Sequence, residues 1–240
     1  MKPLCIAHRG CTAADRPENS LAAVEAALAF GVDGIEVDLW FLHNRFWITH
    51  DRFIDTMSGN KQLITSLSRT ELEAQTLSNG EPLADLPELL RLVQGRCLLN
   101  LELKNSGGST LLAKALDDFR QESAAELDHI VISSFNHHEL FACRQQLPNI
   151  KLGVLLEGLP LNYAACAEPL KPYSFNSAVS WLSRALTDDV HARGFKHWVY
   201  TANVPADWQC ILDYDIDACF TDRAAEFTAY CQDPAAGTSH

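Results

Sequence analysis

The 240-residue sequence is short of positive charge: 19 Lys and Arg stand against 31 Asp and Glu, for a formal net charge of -12. That balance argues against a general nucleic-acid binder and against a surface held to anionic lipid by charge, so an anionic ligand must be met by locally gathered cations. No run of about 20 apolar residues is present, and no basic leader followed by an apolar stretch. A cytoplasmic protein without stable membrane insertion is therefore expected. The eight cysteines contain no C-x-x-C pair. Scattered and mostly in apolar contexts, they suit small buried hydrophobes of a reducing compartment better than a disulfide framework or a thiolate metal site. Low-complexity tracts and internal repeats are also missing.

What is there is an alternation of strand-like and helix-like segments from end to end, which points to a parallel sheet with crossover helices. Eight strand candidates follow from length and periodicity: Leu4 to His8, Gly34 to Leu39, Leu98 to Lys104, Ile130 to Phe135, Lys151 to Glu157, Ser174 to Val179, Lys196 to Thr201 and Ala218 to Thr221. Helix punctuation falls between them. Asn19 or Ser20 caps Leu21 to Phe30, which stops at Gly31; Asn136 opens a helix that closes before Pro148; Ser183 caps the run through His191, ended by Gly194. Eight strands in one domain of this length predict a (β/α)8 TIM barrel, which takes about 250 residues. The stretch 40–81 is too long for an ordinary βα loop and reads as an insertion after the second strand. The tail from Asp233 to His240 is expected to fray.

Four charged clusters end the apolar runs: His8-Arg9-Gly10, Glu36-x-Asp38, His50-Asp51 and Glu102-x-Lys104. An ionised group beside a buried strand costs several kcal/mol unless it is paired or metal-bound, on the order given for buried charges. Glu36 and Asp38 are two apart on a strand and so leave the same face. Glu102, from the next barrel strand, adds a third carboxylate at that level, giving the all-oxygen set that Mg²⁺ or Ca²⁺ prefers. Arg9 and Lys104 suit the non-bridging oxygens of a phosphate. Three acids and two cations leave one negative charge; a divalent ion makes it one positive, and a phosphodiester closes the count to zero. His8 and His50 are the acid–base candidates, one for the attacking oxygen and one for the leaving alkoxide. Trp181 and Tyr200 follow later strands, where they would line the alcohol side of a pocket. The other seven histidines (43, 129, 137, 138, 191, 197 and 240) read as structural or solvated.

These clusters in this order, with Pro17-Glu18-Asn19, closely resemble the glycerophosphodiester phosphodiesterase family, in particular its compact bacterial type. Ser134-Phe135, Tyr200-Thr201-Ala202-Asn203 and Thr221-Asp222 extend the match more loosely into the second half. The resemblance implies hydrolysis of glycerophosphodiesters such as glycerophosphocholine and glycerophosphoethanolamine to sn-glycerol 3-phosphate and an alcohol. The attacking oxygen is then water or the neighbouring glycerol 2-hydroxyl. It also implies an active-site role for Glu18, and a small subdomain over the strand ends built from the insertion, with Phe41, Phe46, Trp47 and Phe53 as a modest core. Two departures stand out: the family usually has a Trp near Tyr200, and an Arg-Thr pair where this chain has Asp55-Thr56-Met57-Ser58-Gly59. Rival readings are a lysophospholipase D acting on a longer lipid and a barrel that binds polyol phosphates without turnover.

Overall fold

The computed structural model describes residues 2–55, 61–123 and 126–233. The chain opens with β1 (Leu4–His8), α1 (Leu21–Phe30), β2 (Gly34–Leu42), β3 (Arg45–Ile48), β4 (Phe53–Asp55), β5 (Lys61–Leu63), α2 (Arg69–Glu73) and α3 (Leu86–Val93). It continues through β6 (Leu98–Leu103), α4 (Ser109–Ser123), β7 (Ile130–Ser134), α5 (His137–Gln146), β8 (Lys151–Leu156), β9 (Ser174–Ala178), α6 (Arg184–Ala192), β10 (Lys196–Tyr200), α7 (Pro205–Asp213), β11 (Ala218–Thr221) and α8 (Ala224–Gln232). Strands β1, β2 and β6 to β11 pair in parallel in that order, and β1 closes the ring by pairing with both β2 and β11. This is the (β/α)8 barrel that the sequence predicts. Between β8 and β9 the crossover is a 3-10 stretch, Tyr163–Leu170, rather than an α-helix; Pro169 within it cannot donate an α-helical hydrogen bond.

Side-chain parity sets up everything that follows. Along β2, Ile35, Val37 and Leu39 face outward into the core shared with the helices, while Gly34, Glu36 and Asp38 face inward. The lower barrel interior is apolar: Ile6, Val131, Trp198, Ala218 and Phe220 pack together there. One layer nearer the strand C-termini, the inward positions turn charged or polar, with His8 in register with Glu36, Glu36 with Asn100, and Asp38 with Glu102.

Helix α1 begins where the sequence allows two caps, and the structure chooses Ser20, whose Oγ accepts from the Ala23 N–H at 3.0 Å. Asn19, at φ 59, is thereby freed for another task. Asn136 and Ser183 cap α5 and α6 as expected, and Gly31, at φ 82, closes α1. Gly10 is also obligatory: its φ is 87, and a Cβ there would lie 2.7 Å from the Ala23 carbonyl carbon.

The region after β2 folds back as a hairpin with β3, turning at His43 and Asn44, then forms the β4–β5 ribbon and α2. It has its own cluster of Trp40, Trp47, Ile64, Leu67, Leu72 and Leu83. Of the four aromatics expected to fill it, only Trp47 does. Phe41 and Phe46 stack 5.1 Å apart and join the main core, and Phe53 is half exposed. The phenylalanines turn that way because strand alternation puts them on the face opposite Trp40 and Trp47. Thr56 to Gly59, where the family's Arg-Thr pair is missing, and the tail 234–240 lie outside the described residues.

All eight cysteines are free thiols; Cys5, Cys143 and Cys219 are buried, Cys166 is exposed, and the rest are intermediate. Among the described residues no helix is long and apolar enough to cross a membrane.

Candidate active site

The C-terminal ends of β1, β2 and β6, with the start of the insertion, bring the four charged clusters together. His8, Arg9, Glu36, His50, Glu102, Lys104 and Tyr200 line one cavity of about 150 Å³, alongside Asn100, Phe135, Leu155, Thr201 and Phe220. Asp38 is buried and outside the lining, and single oxygens of Glu36, Asp38 and Glu102 all lie within 4.8 Å of one another. Besides Asp38, two of the nominated residues sit outside the lining. Glu18 reaches the site only through Arg9, its Oε2 accepting from Nη1 at 2.8 Å, and Trp181 is 45% exposed in the loop after β9.

The three carboxylates are held unequally. Asp38 is the best supported: Asn19 Nδ2 donates to its Oδ2 at 2.9 Å, Arg9 Nε lies 3.2 Å from the same oxygen, and Lys104 Nζ lies 3.2 Å from Oδ1. Burial pushes its pKa up, but Lys104, Arg9 and the Asn19 amide outweigh that and leave it lowered. Glu36 is fully buried, and its carboxyl is raised well above the usual range by that burial and by the charges of Asp38 and Glu102. It receives the Arg9 backbone N–H on Oε2 at 3.0 Å, whereas its buried Oε1 has no hydrogen-bond partner. Glu102 is raised as well, by burial and by Asp38, despite a 2.6 Å hydrogen bond from Lys104. A clustered oxygen set with an unanswered buried carboxylate atom fits a hard divalent cation.

The two histidines enter from different elements. His8 Nδ1 bonds Asp222 Oδ1 at 2.7 Å, which turns Nε2 toward the cavity, 3.9 Å from Glu36 Oε2. The His8 hydrogen bond is the leading cause that lowers the Asp222 pKa. His50 Nδ1 meets Asp51 Oδ1 at 3.2 Å, and the His50 carbonyl accepts from the Trp40 indole at 3.4 Å.

The remaining histidines fall away from the site. His43 and His137 bond backbone carbonyls, His191 pairs with Asp217, and His197 is buried between Ser177 and Thr187; His240 lies outside the described residues.

Several participants carried a sequence signal without an assigned role. Asp222 and Asn203 belong to motifs noted above; Asn203 Nδ2 donates to Asp222 Oδ2 at 2.6 Å, and the Asp222 N–H donates back to Asn203 Oδ1 at 2.9 Å. Phe135 belongs to another. Asn100 and Glu139 had no signal. Glu139, on α5, accepts the backbone N–H groups of Gly107, Gly108 and Ser109 at 2.9, 3.1 and 3.1 Å, anchoring the loop that follows Lys104.

A closed parallel barrel with histidines, carboxylates and two cations around one small mouth defines a (β/α)8-barrel phosphodiesterase. Residues 8–226 match the model of the Glycerophosphoryl diester phosphodiesterase family, and the chain belongs to that family. It is 27% identical to a glycerophosphodiester phosphodiesterase of Caldanaerobacter subterraneus subsp. tengcongensis, over 92% of this chain and 95% of that protein. A second protein of that name, from Bacillus altitudinis, is 28% identical over 90% of this chain and 93% of its own length. Among solved structures, the fold superposes on an Oleispira antarctica phosphodiesterase in complex with the product sn-glycerol-3-phosphate, with a TM-score of 0.82, 24% identity, and coverage of 96% of this chain and 97% of that one. A Parabacteroides distasonis glycerophosphodiester phosphodiesterase structure gives a TM-score of 0.82 at 22% identity, covering 98% of this chain and 98% of that one.

Proposed function

We propose that the protein hydrolyses glycerophosphodiesters, glycerophosphocholine and glycerophosphoethanolamine among them, to sn-glycerol 3-phosphate and the free alcohol. The observation that carries this reading is that His8 and His50 line the same small cavity as Arg9, Lys104, Glu36 and Glu102, the last two belonging to the cluster of three carboxylates that Asp38 completes. Glu36, Asp38 and Glu102 would hold Mg²⁺ or Ca²⁺, which supplies positive charge to the phosphate and to the charge that develops on it. Arg9 and Lys104 orient the non-bridging oxygens. One imidazole takes the proton of the attacking oxygen and the other returns a proton to the departing alkoxide, a poor leaving group without it. Asp222 keeps the His8 ring turned so that Nε2 faces the ester, and Tyr200 flanks the alcohol side.

The test is release of choline and sn-glycerol 3-phosphate from glycerophosphocholine, with and without EDTA. Product that disappears on chelation and returns with Mg²⁺ or Ca²⁺ supports the reading; tight binding without product favours a polyol-phosphate-binding barrel. Lysophospholipids belong in the same assay because of one observation. Of the eight large hydrophobic side chains exposed among the described residues, Phe135, Leu159, Leu161, Trp181 and Val204 follow the C-terminal ends of barrel strands, the side on which the cavity opens, and Phe53 opens β4 of the insertion.

A further inference from the structure

The mouth has two unlike halves. The histidines, carboxylates and cations that line the cavity come from β1, β2, β6, the residues just after them, and the insertion. Opposite them, the inward positions at or just past the ends of β7, β8 and β10 are Phe135, Glu157 and Tyr200, in phase with Ser133, Leu155 and Trp198 below them. Phe135 and Tyr200 both line the cavity, with ring centroids 5.8 Å apart and edge to face. The Tyr200 hydroxyl donates to the Leu156 carbonyl at 3.0 Å, which fixes that ring. Phe135 is 46% exposed and so keeps a face open to a ligand. Glu157 is exposed, and its carboxylate stands beside the Tyr200 hydroxyl.

Among the residues that line the cavity, none from this side is Lys or Arg. The two cations of the lining, Arg9 and Lys104, are each paired with two carboxylates: Glu18 and Asp38 for Arg9, Asp38 and Glu102 for Lys104. An aromatic corner with a carboxylate and no cation of its own attracts organic cations. The ring quadrupole favours positive charge over its face, and a weakly hydrated, methyl-covered cation gives up less solvation to reach it than a primary ammonium does. Leu159 and Trp181, both half-exposed, follow β8 and β9 on the same rim and add apolar surface suited to methyl groups.

We propose that Phe135, Tyr200 and Glu157 form the subsite for the leaving alcohol and select alcohols that carry a positive charge, with a trimethylammonium group preferred. The inference rests on the phosphodiesterase reading and adds to it which alcohol is released.

The experiment compares kcat/KM of the metal-loaded protein for glycerophosphocholine, glycerophosphoethanolamine and glycerophosphoglycerol at one ionic strength. Glycerophosphocholine is expected to exceed the uncharged ester by about 3- to 30-fold, with ethanolamine between them. Glu157→Gln and Phe135→Leu should each shrink the choline-to-glycerol ratio by about 3- to 10-fold, and Glu157→Lys should reverse its order. Equal turnover of all three esters by the wild-type protein, or a ratio indifferent to these substitutions, overturns the subsite and leaves the phosphodiesterase reading standing. If no ester is hydrolysed, that reading fails instead. The subsite is then decided by choline itself: broadening of its methyl NMR signal by the wild-type protein but not by Glu157→Gln supports the subsite, and no broadening by either sinks it.

Discussion

Asn19 and Asp38 exchange two hydrogen bonds: the Asn19 amide donates to Asp38 Oδ2 at 2.9 Å, and the Asp38 backbone N–H donates to Asn19 Oδ1 at 3.1 Å. The left-handed backbone of Asn19 puts its side chain inside the barrel, a conformation Asn tolerates better than most residues. Asn19→Gly keeps that backbone and removes both bonds. A hydrogen bond to a charged group is worth about 1.5–3 kcal/mol, so kcat/KM should drop by about 10- to 100-fold with little change in the far-UV spectrum. Unchanged kinetics would show that Arg9 and Lys104 suffice to hold Asp38.

His8→Ala and His50→Ala should each lower kcat by roughly 10²- to 10⁴-fold while the barrel stays folded. Asp222→Ala should cost less, about 10- to 100-fold in kcat, because it frees the His8 ring to rotate and to change tautomer but leaves the imidazole in place. Steady-state kinetics on glycerophosphocholine check the order. If Asp222→Ala matches wild type, the 2.7 Å contact plays no part in catalysis.

Strand positions were legible because each barrel strand is a short apolar run bounded by punctuation. Ends were less so: β2 runs on past Leu39 to Leu42, and β6 to β10 each stop one residue before the expected boundary, at Lys104, Phe135, Glu157, Val179 and Thr201. Inward and outward alternation continues through those residues although the ladder has ended, and alternation was the only signal available. The charged half of the site was legible because ionised residues beside buried strands need a reason to be there. Asp222 had no such flag as a partner of His8. It lies 214 positions away, and only closure of the barrel between β1 and β11 makes them neighbours. Glu139 was hidden for another reason: its partners are backbone N–H groups, which leave no trace in side-chain patterns.

Glu139 is 4% exposed and holds three backbone donors at the start of α4. Glu139→Ala strands those N–H groups and should destabilise the protein by about 2–4 kcal/mol in urea unfolding. Glu139→Gln retains one acceptor oxygen but not the charge that complements the helix N-terminus, and should cost about 1–2 kcal/mol. Equal losses for the two variants would mean that charge, and not the number of acceptors, sets the strength of the clamp.

Glu36→Gln removes one negative oxygen from the acid cluster and keeps the size of the side chain. Calorimetric titration with Mg²⁺ and Ca²⁺ should show affinity at least about 10-fold weaker than wild type, the scale of one lost charge at a hard-cation site. Asp51→Asn, outside the acid cluster, is the control. If Glu36→Gln binds as tightly as wild type, the cation is held elsewhere.

His197 ties acid stability to the outer face of the barrel. It is fully buried, bonded through Nε2 to Ser177 Oγ at 2.8 Å and through Nδ1 to Thr187 Oγ1 at 3.0 Å. Burial, followed by the nearby His191, lowers its pKa to about 3 from an ordinary 6.5. Above pH 6.5 both folded and unfolded states hold the ring neutral, so the contribution is fully present. As pH falls below 6.5 the unfolded chain takes up a proton that the folded protein refuses, and stability drops by up to about 1.4 kcal/mol per pH unit until the folded pKa is reached. His197→Asn removes the titrating group. Between pH 6.5 and 4.5, above the range where most carboxylates protonate, the difference in unfolding free energy between wild type and variant should therefore narrow steadily as the solution is acidified. A constant difference across that interval would mean that the buried imidazole is protonated in the folded barrel, with Ser177 and Thr187 accepting from it as a cation.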